Sequence, residues 1–211
     1  MTDDFQIPGF VNAHSHAFQR ALRGLVEGRD FWAWREAMLE LAAGVRTDYR
    51  AVFAEMRAAG YTAVGEFHYL GLDEARAAAE AAAAIGIELV VLYVAYARGG
   101  IERFRQESVA DYLRGLERLR EAGLRVGIAP HSVRACPAGW LEELGSYAAA
   151  EKLPLHVHAD EQPREIEECL AEHGVRPIEL LDRLPNLRLA EAAAPRGLVF
   201  RKPPELNAMW D

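Results

Sequence analysis

The chain has 211 residues, with 24 lysines and arginines against 32 aspartates and glutamates, a formal net charge of −8. That balance, with no basic run, argues against a phosphate-tracking nucleic-acid binder, and 51% hydrophobic with 27% charged residues excludes wholesale disorder. The length suits one domain with a real core, and no apolar run reaches the roughly 18 residues of a membrane span. The start, Met1-Thr2-Asp3-Asp4, lacks the basic residues of a secretory signal. The two cysteines, Cys136 and Cys169, are far apart and show no CxxC spacing. A cytoplasmic protein with both thiols as small buried filler is expected.

In chain order, Gln6 to Val11 reads as a first strand. Phe31 to Ala43 and Asp48 to Ala59 have helical spacing, the second with Thr47 as N-cap, and Gly60 stops it. Thr62 to Phe67 is a second strand. Leu72 to Ala84 is almost pure helix former, closed by Gly86. Ile87 to Ala95 is the longest apolar run and reads as a strand buried on both faces. Ser108 caps a helix to Ala122, and Arg125 to Pro130 is the fourth strand. Pro137 to Glu151 is helical and Pro154 to Ala159 is a fifth strand. Pro163 to Ala171 and Pro177 to Leu184 are helices that open on proline.

Strand and helix alternate through five units, which predicts a parallel sheet with helical crossovers. An open doubly wound sheet and a (β/α) barrel both satisfy that order. No GxGxxG follows any strand, which lowers the dinucleotide-binding version of the first. After Leu184 the rhythm breaks at Pro185, Pro195, Pro203 and Pro204, with Leu198-Val199-Phe200 as a short strand. The division is a barrel-type domain over 1–184 and an irregular tail over 185–211.

Position is the informative property of the polar residues. Six of the seven histidines fall at the C-terminal ends of predicted strands, the face that carries the site in a barrel and the crevice in an open sheet. His14 and His16 are two apart on an extended segment, so their imidazoles share a side and form a ready bidentate metal site. Taken alone, such a pair is more often a surface turn; here it follows a buried strand and other histidines converge on it. His156 and His158 repeat the spacing, with His158 nearer the strand end. His156 reads as packed beside the site. Glu161 lies three residues on, where a carboxylate can move a proton to or from an activated water. A helix-start carboxylate is the competing explanation. His131 and Arg134 suit an anionic carboxylate at a pocket mouth, with Tyr69 adding a phenol. Arg35, in Phe31-Trp32-Ala33-Trp34-Arg35, is hard to explain as packing. His68 and His173 read as structural.

The segment Pro8-Gly9-Phe10-Val11-Asn12-Ala13-His14-Ser15-His16 resembles the first-strand metal motif of the amidohydrolase superfamily. Further blocks are Ala17-Phe18-Gln19-Arg20-Ala21, Phe31-Trp32-Ala33-Trp34-Arg35, Gly65-Glu66-Phe67-His68-Tyr69, Ala129-Pro130-His131-Ser132-Val133-Arg134 and His156-Val157-His158-Ala159-Asp160-Glu161-Gln162. With them the chain resembles the N-formimino-L-glutamate deiminases within that superfamily, from about Ile7 to about Leu184. The resemblance implies a TIM-type (β/α) barrel and one divalent metal, usually zinc. It implies hydrolysis of the formimino C=N of N-formimino-L-glutamate to N-formyl-L-glutamate and ammonia, a step of histidine breakdown. Carried over by motif, His14, His16 and His158 match metal ligands and Glu161 matches the proton shuttle. Gln19, Arg35, Tyr69, His131 and Arg134 match substrate-binding positions, the last three on the glutamate carboxylates.

The family pattern continues through three more βα units, with a catalytic histidine after the sixth strand and a metal-binding aspartate after the eighth. No histidine follows His173, and the aspartates beyond Glu161 are Asp182 and Asp211. An incomplete barrel of about five units is therefore expected, with activity of this chain reduced. Its open sheet edges must be covered or paired, and pairing with a second copy gives a homodimer. Two other functions compete. One is a deaminase of the same superfamily acting on a ring amine such as guanine, which has no need of Arg134, His131 and Tyr69 for a carboxylate. The other is a non-catalytic metal-binding or interaction module that uses the open edge.

Overall fold

The computed structural model describes residues 7–184 and Leu187. A parallel four-stranded sheet, in the order β1-β2-β3-β4, is built from β1 (Phe10–Ser15), β2 (Tyr61–His68), β3 (Glu88–Ala95) and β4 (Val126–Pro130). The helices are α1 (Phe31–Gly44), α2 (Tyr49–Ala58), α3 (Leu72–Ile85), α4 (Val109–Glu121), α5 (Ala138–Glu151), α6 (Pro163–His173) and α7 (Pro177–Arg183). A 3-10 turn, Ala17–Leu22, follows β1. Sequential parallel strands joined by helices form a partial (β/α) barrel, the one of the two architectures left open by the alternation that the family resemblance implies. Residues 185–211, apart from Leu187, lie outside the described residues, and so does the predicted Leu198–Phe200 strand.

Local chemistry sets most element ends. Asp30 accepts from Ala33 N at 2.8 Å at the start of α1, and Ser108 accepts from Asp111 N at 3.1 Å at the start of α4. For α2 the cap is Asp48, which accepts from Ala51 N at 3.0 Å, rather than the predicted Thr47. A carboxylate one residue closer to the helix wins the first-turn N–H. Gly86 ends α3 in the left-handed conformation at φ 75°.

Two strands differ from expectation. β1 begins at Phe10 and runs through His14 to Ser15, later than the predicted Gln6 to Val11. Pairing with β2, from Phe10 opposite Tyr61 to Ser15 opposite Glu66, carries the extended backbone through residues of poor strand propensity. Gly65 permits the approach, because a Cβ there would lie 2.4 Å from the Ala13 carbonyl oxygen. The predicted fifth strand, Pro154 to Ala159, forms only two isolated parallel bridges, Leu155 to Ile128 and His158 to Ser132. It bonds towards β4 through His156 N to Ile128 O and His158 N to His131 O, both 2.9 Å. Ladder hydrogen bonds on one side alone hold it extended without making it a full strand.

The core lies between the sheet and its helices. Phe67, Leu92, Tyr112, Leu116, Leu119, Ile128, Leu141, Leu144 and Leu181 are fully buried in one cluster. A second cluster seats Tyr49, Val52 and Phe53 of α2 against Val64 and the alanines of α3. Both cysteines are buried and free.

Candidate metal centre and active site

The ends of β1 and of the 154–159 segment sit at opposite edges of the sheet order, yet their histidines meet. The sheet therefore curls, as a barrel wall does. His14 Nε2 lies 3.1 Å from His16 Nε2 and 3.0 Å from His158 Nε2. All three nitrogens fall within 4.8 Å of one another. One proton on His14 Nε2 satisfies only one of its two contacts, so three converging imidazole nitrogens are left with excess lone pairs. A cation resolves that crowding.

The protonation states fit the same reading. Burial, then the neighbouring His158 and His156, lower His14 to about 3. Burial, then Arg134 and His156, lower His158 to about 4. Burial leads again for His16, which falls well below the usual histidine value. Neutral rings are the ligating form. Backbone groups at Phe67 and His131 act on His16 and His158 in the opposite direction. Three neutral imidazoles form a donor set suited to zinc. His156 Nδ1 contacts His14 Nδ1 at 3.3 Å and the two rings stack, so His156 orients a ligand rather than joining the three.

Phe67 forms the floor, its ring 4.7 Å from that of His14 and 4.4 Å from that of His158. Tyr69 lies 5.4 Å from His16 and 5.7 Å from His131, and His131 lies 4.9 Å from His158. His131 Nδ1 is 3.0 Å from Ser132 Oγ, and burial holds the ring neutral. Arg134 is bound by Glu161 and reaches Glu165 at 3.5 Å. Two predicted site residues, a cation for substrate and a carboxylate for protons, are thus paired to each other. The charge of Arg35 acts on His131 and Tyr96, while its guanidinium lies 6.0 Å from the Trp32 ring. Gln19 sits half-buried on the 3-10 turn, where its backbone N donates to His16 O at 3.0 Å, and its side chain makes no hydrogen bond to the histidines among the described residues. His68 points its Nε2 at Gly71 O, 2.9 Å away, and packs against Tyr49.

Two carboxylates were given no role from the sequence, Glu66 although it stands at a strand end and in a family block, and Glu165. Glu66 is buried at the end of β2, opposite Ser15 in the ladder, and accepts from Ala17 N at 2.8 Å, while its Oε2 has no hydrogen-bond partner among the described residues. Ser15 and Ala17 flank His16, so Glu66 pins the backbone that carries this ligand. Burial raises it to about 8. Glu165 is fully buried and accepts from Glu161 N at 2.7 Å. Burial raises it to about 7 against the pull of Arg134. A signal for Glu165 existed: it lies one helical turn before buried Cys169, on the inward face of α6.

Residues 5–200 match the family model described as the amidohydrolase family. A formimidoylglutamate deiminase of Pseudomonas aeruginosa is 38% identical over 83% of this chain and 46% of its own length. A 5-methylthioadenosine/S-adenosylhomocysteine deaminase of Haloarcula marismortui is 29% identical over 87% of this chain and 44% of its own. Among solved structures, the zinc complex of an atrazine chlorohydrolase from Arthrobacter aurescens aligns with a TM-score of 0.75. It is 22% identical over 85% of this chain and 46% of that one. Guanine deaminase from C. acetobutylicum with bound guanine aligns with a TM-score of 0.70, at 21% identity over 84% of this chain and 46% of that one. These two likenesses show the fold. The chain spans a little under half the length of the curated relatives it matches.

Proposed function

The chain belongs to the amidohydrolase family, and from that premise we propose that it carries the metal-ligand and substrate-carboxylate half of a zinc-dependent formimidoylglutamate deiminase site. The observation that carries this reading is the adjacency of a histidine triad to a cationic and phenolic pocket wall. His14, His16 and His158 would hold the ion; when bound, zinc acts as a Lewis acid that makes water nucleophilic near neutral pH.

The chain's own residues supply the rest. Arg134 faces one carboxylate of an N-formimino-L-glutamate substrate, with His131 and Tyr69 as neutral donors beside it. Arg35 adds positive charge to the same wall, and Gln19, on the 3-10 turn after His16, is the further substrate-binding candidate. A substrate carboxylate that takes Arg134 releases Glu161 from its ion pair. Glu161 then takes one proton from the water that bonds to the imino carbon and passes it to the imino nitrogen; it passes on the remaining hydroxyl proton as the C–N bond breaks, so the carbon becomes the formyl C=O and the nitrogen leaves as ammonia. Glu165 stays on Arg134 and on the Glu161 backbone, so the arginine keeps a fixed position during that exchange.

A ring-amine deaminase is the competing assignment, and relatives with that chemistry match at lower identity. The test is calorimetric binding of N-formimino-L-glutamate and of guanine to the zinc-loaded chain, with ammonia release measured alongside. Preference for formiminoglutamate, weakened at least tenfold by Arg134→Ala, is expected for a charge-assisted carboxylate contact. Tighter binding of guanine, or an affinity for formiminoglutamate unchanged in Arg134→Ala, would overturn the reading.

A further inference from the structure

Outside the histidine centre, a cavity of about 180 Å³ opens between the loop after β2, the loop after β3 and α4. Its wall carries Arg103, Arg105, Arg114 and Arg118, with Asp111 as the single carboxylate. That concentration of cations stands out in a chain of net charge −8.

The four guanidiniums differ in how they are engaged. Arg103 donates to Ala42 O at 2.7 Å and to Val45 O at 3.2 Å, which closes the end of α1. Arg114 pairs with Asp111 at 3.2 Å. Arg105 and Arg118 have no ion-pair or hydrogen-bond partner among the described residues. Arg114 and Arg118 are four apart on α4 and share a face. The phenol of Tyr93 lies against Gly115, where an added Cβ would come within 2.8 Å of the phenol oxygen. Burial keeps that phenol protonated, a neutral donor in the same wall. Gly71 and Leu72, at the N-terminus of α3, also border the cavity, and no side chain caps that helix. Its end adds partial positive charge.

The volume and the charge together select the ligand. About 180 Å³ is below the roughly 300–1,000 Å³ of pockets that hold organic ligands. Several guanidinium forks against one carboxylate favour a multiply charged oxyanion over a monocarboxylate. We propose that this cavity binds inorganic phosphate, held by Arg105 and Arg118. Tyr69 lines it as well, and its ring packs against those of His16 and His131, so the phosphate sits one side chain away from the histidine centre.

The test is calorimetric titration of the 211-residue chain with sodium phosphate against sodium chloride at equal ionic strength. One saturable site is expected, weakened at least tenfold by the double variant Arg105→Ala/Arg118→Ala. Arg57→Ala, at an exposed position on α2, leaves it unchanged. Circular dichroism melting without phosphate checks that the variants fold. If the double variant melts early, the single charge reversal Arg118→Glu carries the same reading, with binding abolished. Three outcomes overturn the proposal: no saturable heat, heat retained by the arginine variants as binding at a metal would give, or tighter binding of L-glutamate than of phosphate.

Discussion

The β2-β3-β4 part of the sheet and the pair formed by β1 with the 154–159 segment follow opposite rules. β2, β3 and β4 pair in unbroken register and end in fully buried runs. β1 has two register breaks and exposes Phe10 and Val11, and the 154–159 segment has two bridges. Two of the three candidate metal ligands, His14 and His158, lie on these irregular pieces, and the third, His16, directly follows β1. The rigid part provides floor and wall, Phe67, Tyr69 and His131, while the weakly held part provides the ligands. Coordination would therefore tie together the two pieces of the sheet that backbone pairing holds least.

The largest effect on the metal centre itself comes from loss of a ligand. Wild-type chain dialysed against zinc-containing buffer is expected to retain about one zinc per chain, measured by elemental analysis. His158→Ala is expected to lose at least about 100-fold in affinity, since changes that merely perturb a ligand's support already cost about 10–100-fold. Zinc at about 100 times its dissociation constant should stabilise the wild type by about 2.7 kcal/mol and the variant far less. Equal thermal shifts in both would mean that the metal does not join β1 to the 154–159 segment.

Removing the floor comes next. Phe67 is fully buried and touches both His14 and His158. Phe67→Ala is expected to cost about 3–5 kcal/mol in urea unfolding, with weaker zinc binding in molecules that remain folded. An unchanged zinc affinity would show that the ligands hold their positions without the rigid part.

A third experiment separates the two regions by pH. Glu66 belongs to the rigid strand β2 and pins the loop after β1. Its carboxyl rises from the usual 4.5 to about 8 on folding. A raised acid favours the folded state fully below the unfolded value and loses that contribution as pH climbs towards the folded one. Between about pH 4.5 and 8 this group is expected to cost the metal-free wild type on the order of 3–5 kcal/mol, while the buried histidines, His14 lowered to about 3 and His158 to about 4, act the other way below about pH 6.5. Glu66→Gln, which cannot ionise, lacks the carboxyl contribution, so the stability difference between wild type and variant should change across this range by that amount. An identical pH profile in the variant would place the ionised carboxylate in a better solvated site than its burial implies.

The same division explains what was legible in the sequence. Alternation, alanine-rich helices and β-branched runs gave the regular elements, since local pattern and tertiary packing agree there. The shift of β1 to Phe10–Ser15 was hidden because register with β2, rather than local propensity, extends the chain through His14. The 154–159 segment has strand composition, but its pairing on one side cannot be read from residues. At the site, HxH spacing and strand-end position exposed the histidines. Glu66 and Glu165 stayed hidden, because a carboxylate beside apolar residues looks solvated until the backbone N–H groups it serves are known.

The smallest expected effect lies in the regular region. Tyr112 is fully buried on α4 and donates its hydroxyl to Tyr93 O at 2.6 Å, while its ring stacks on that of Tyr93. Tyr112→Phe keeps the ring and removes two neutral hydrogen bonds, the one donated to Tyr93 O and a long one accepted from Ala129 N at 3.4 Å, which costs about 1–2 kcal/mol. Tyr93 O sits on β3, two strands from β1, and β3 is paired on both sides. The loss should therefore appear as a small drop in urea midpoint with the zinc affinity unchanged. A Tyr112→Phe variant that bound zinc more weakly would mean that the two regions are mechanically one, and that the site depends on strain carried across β2.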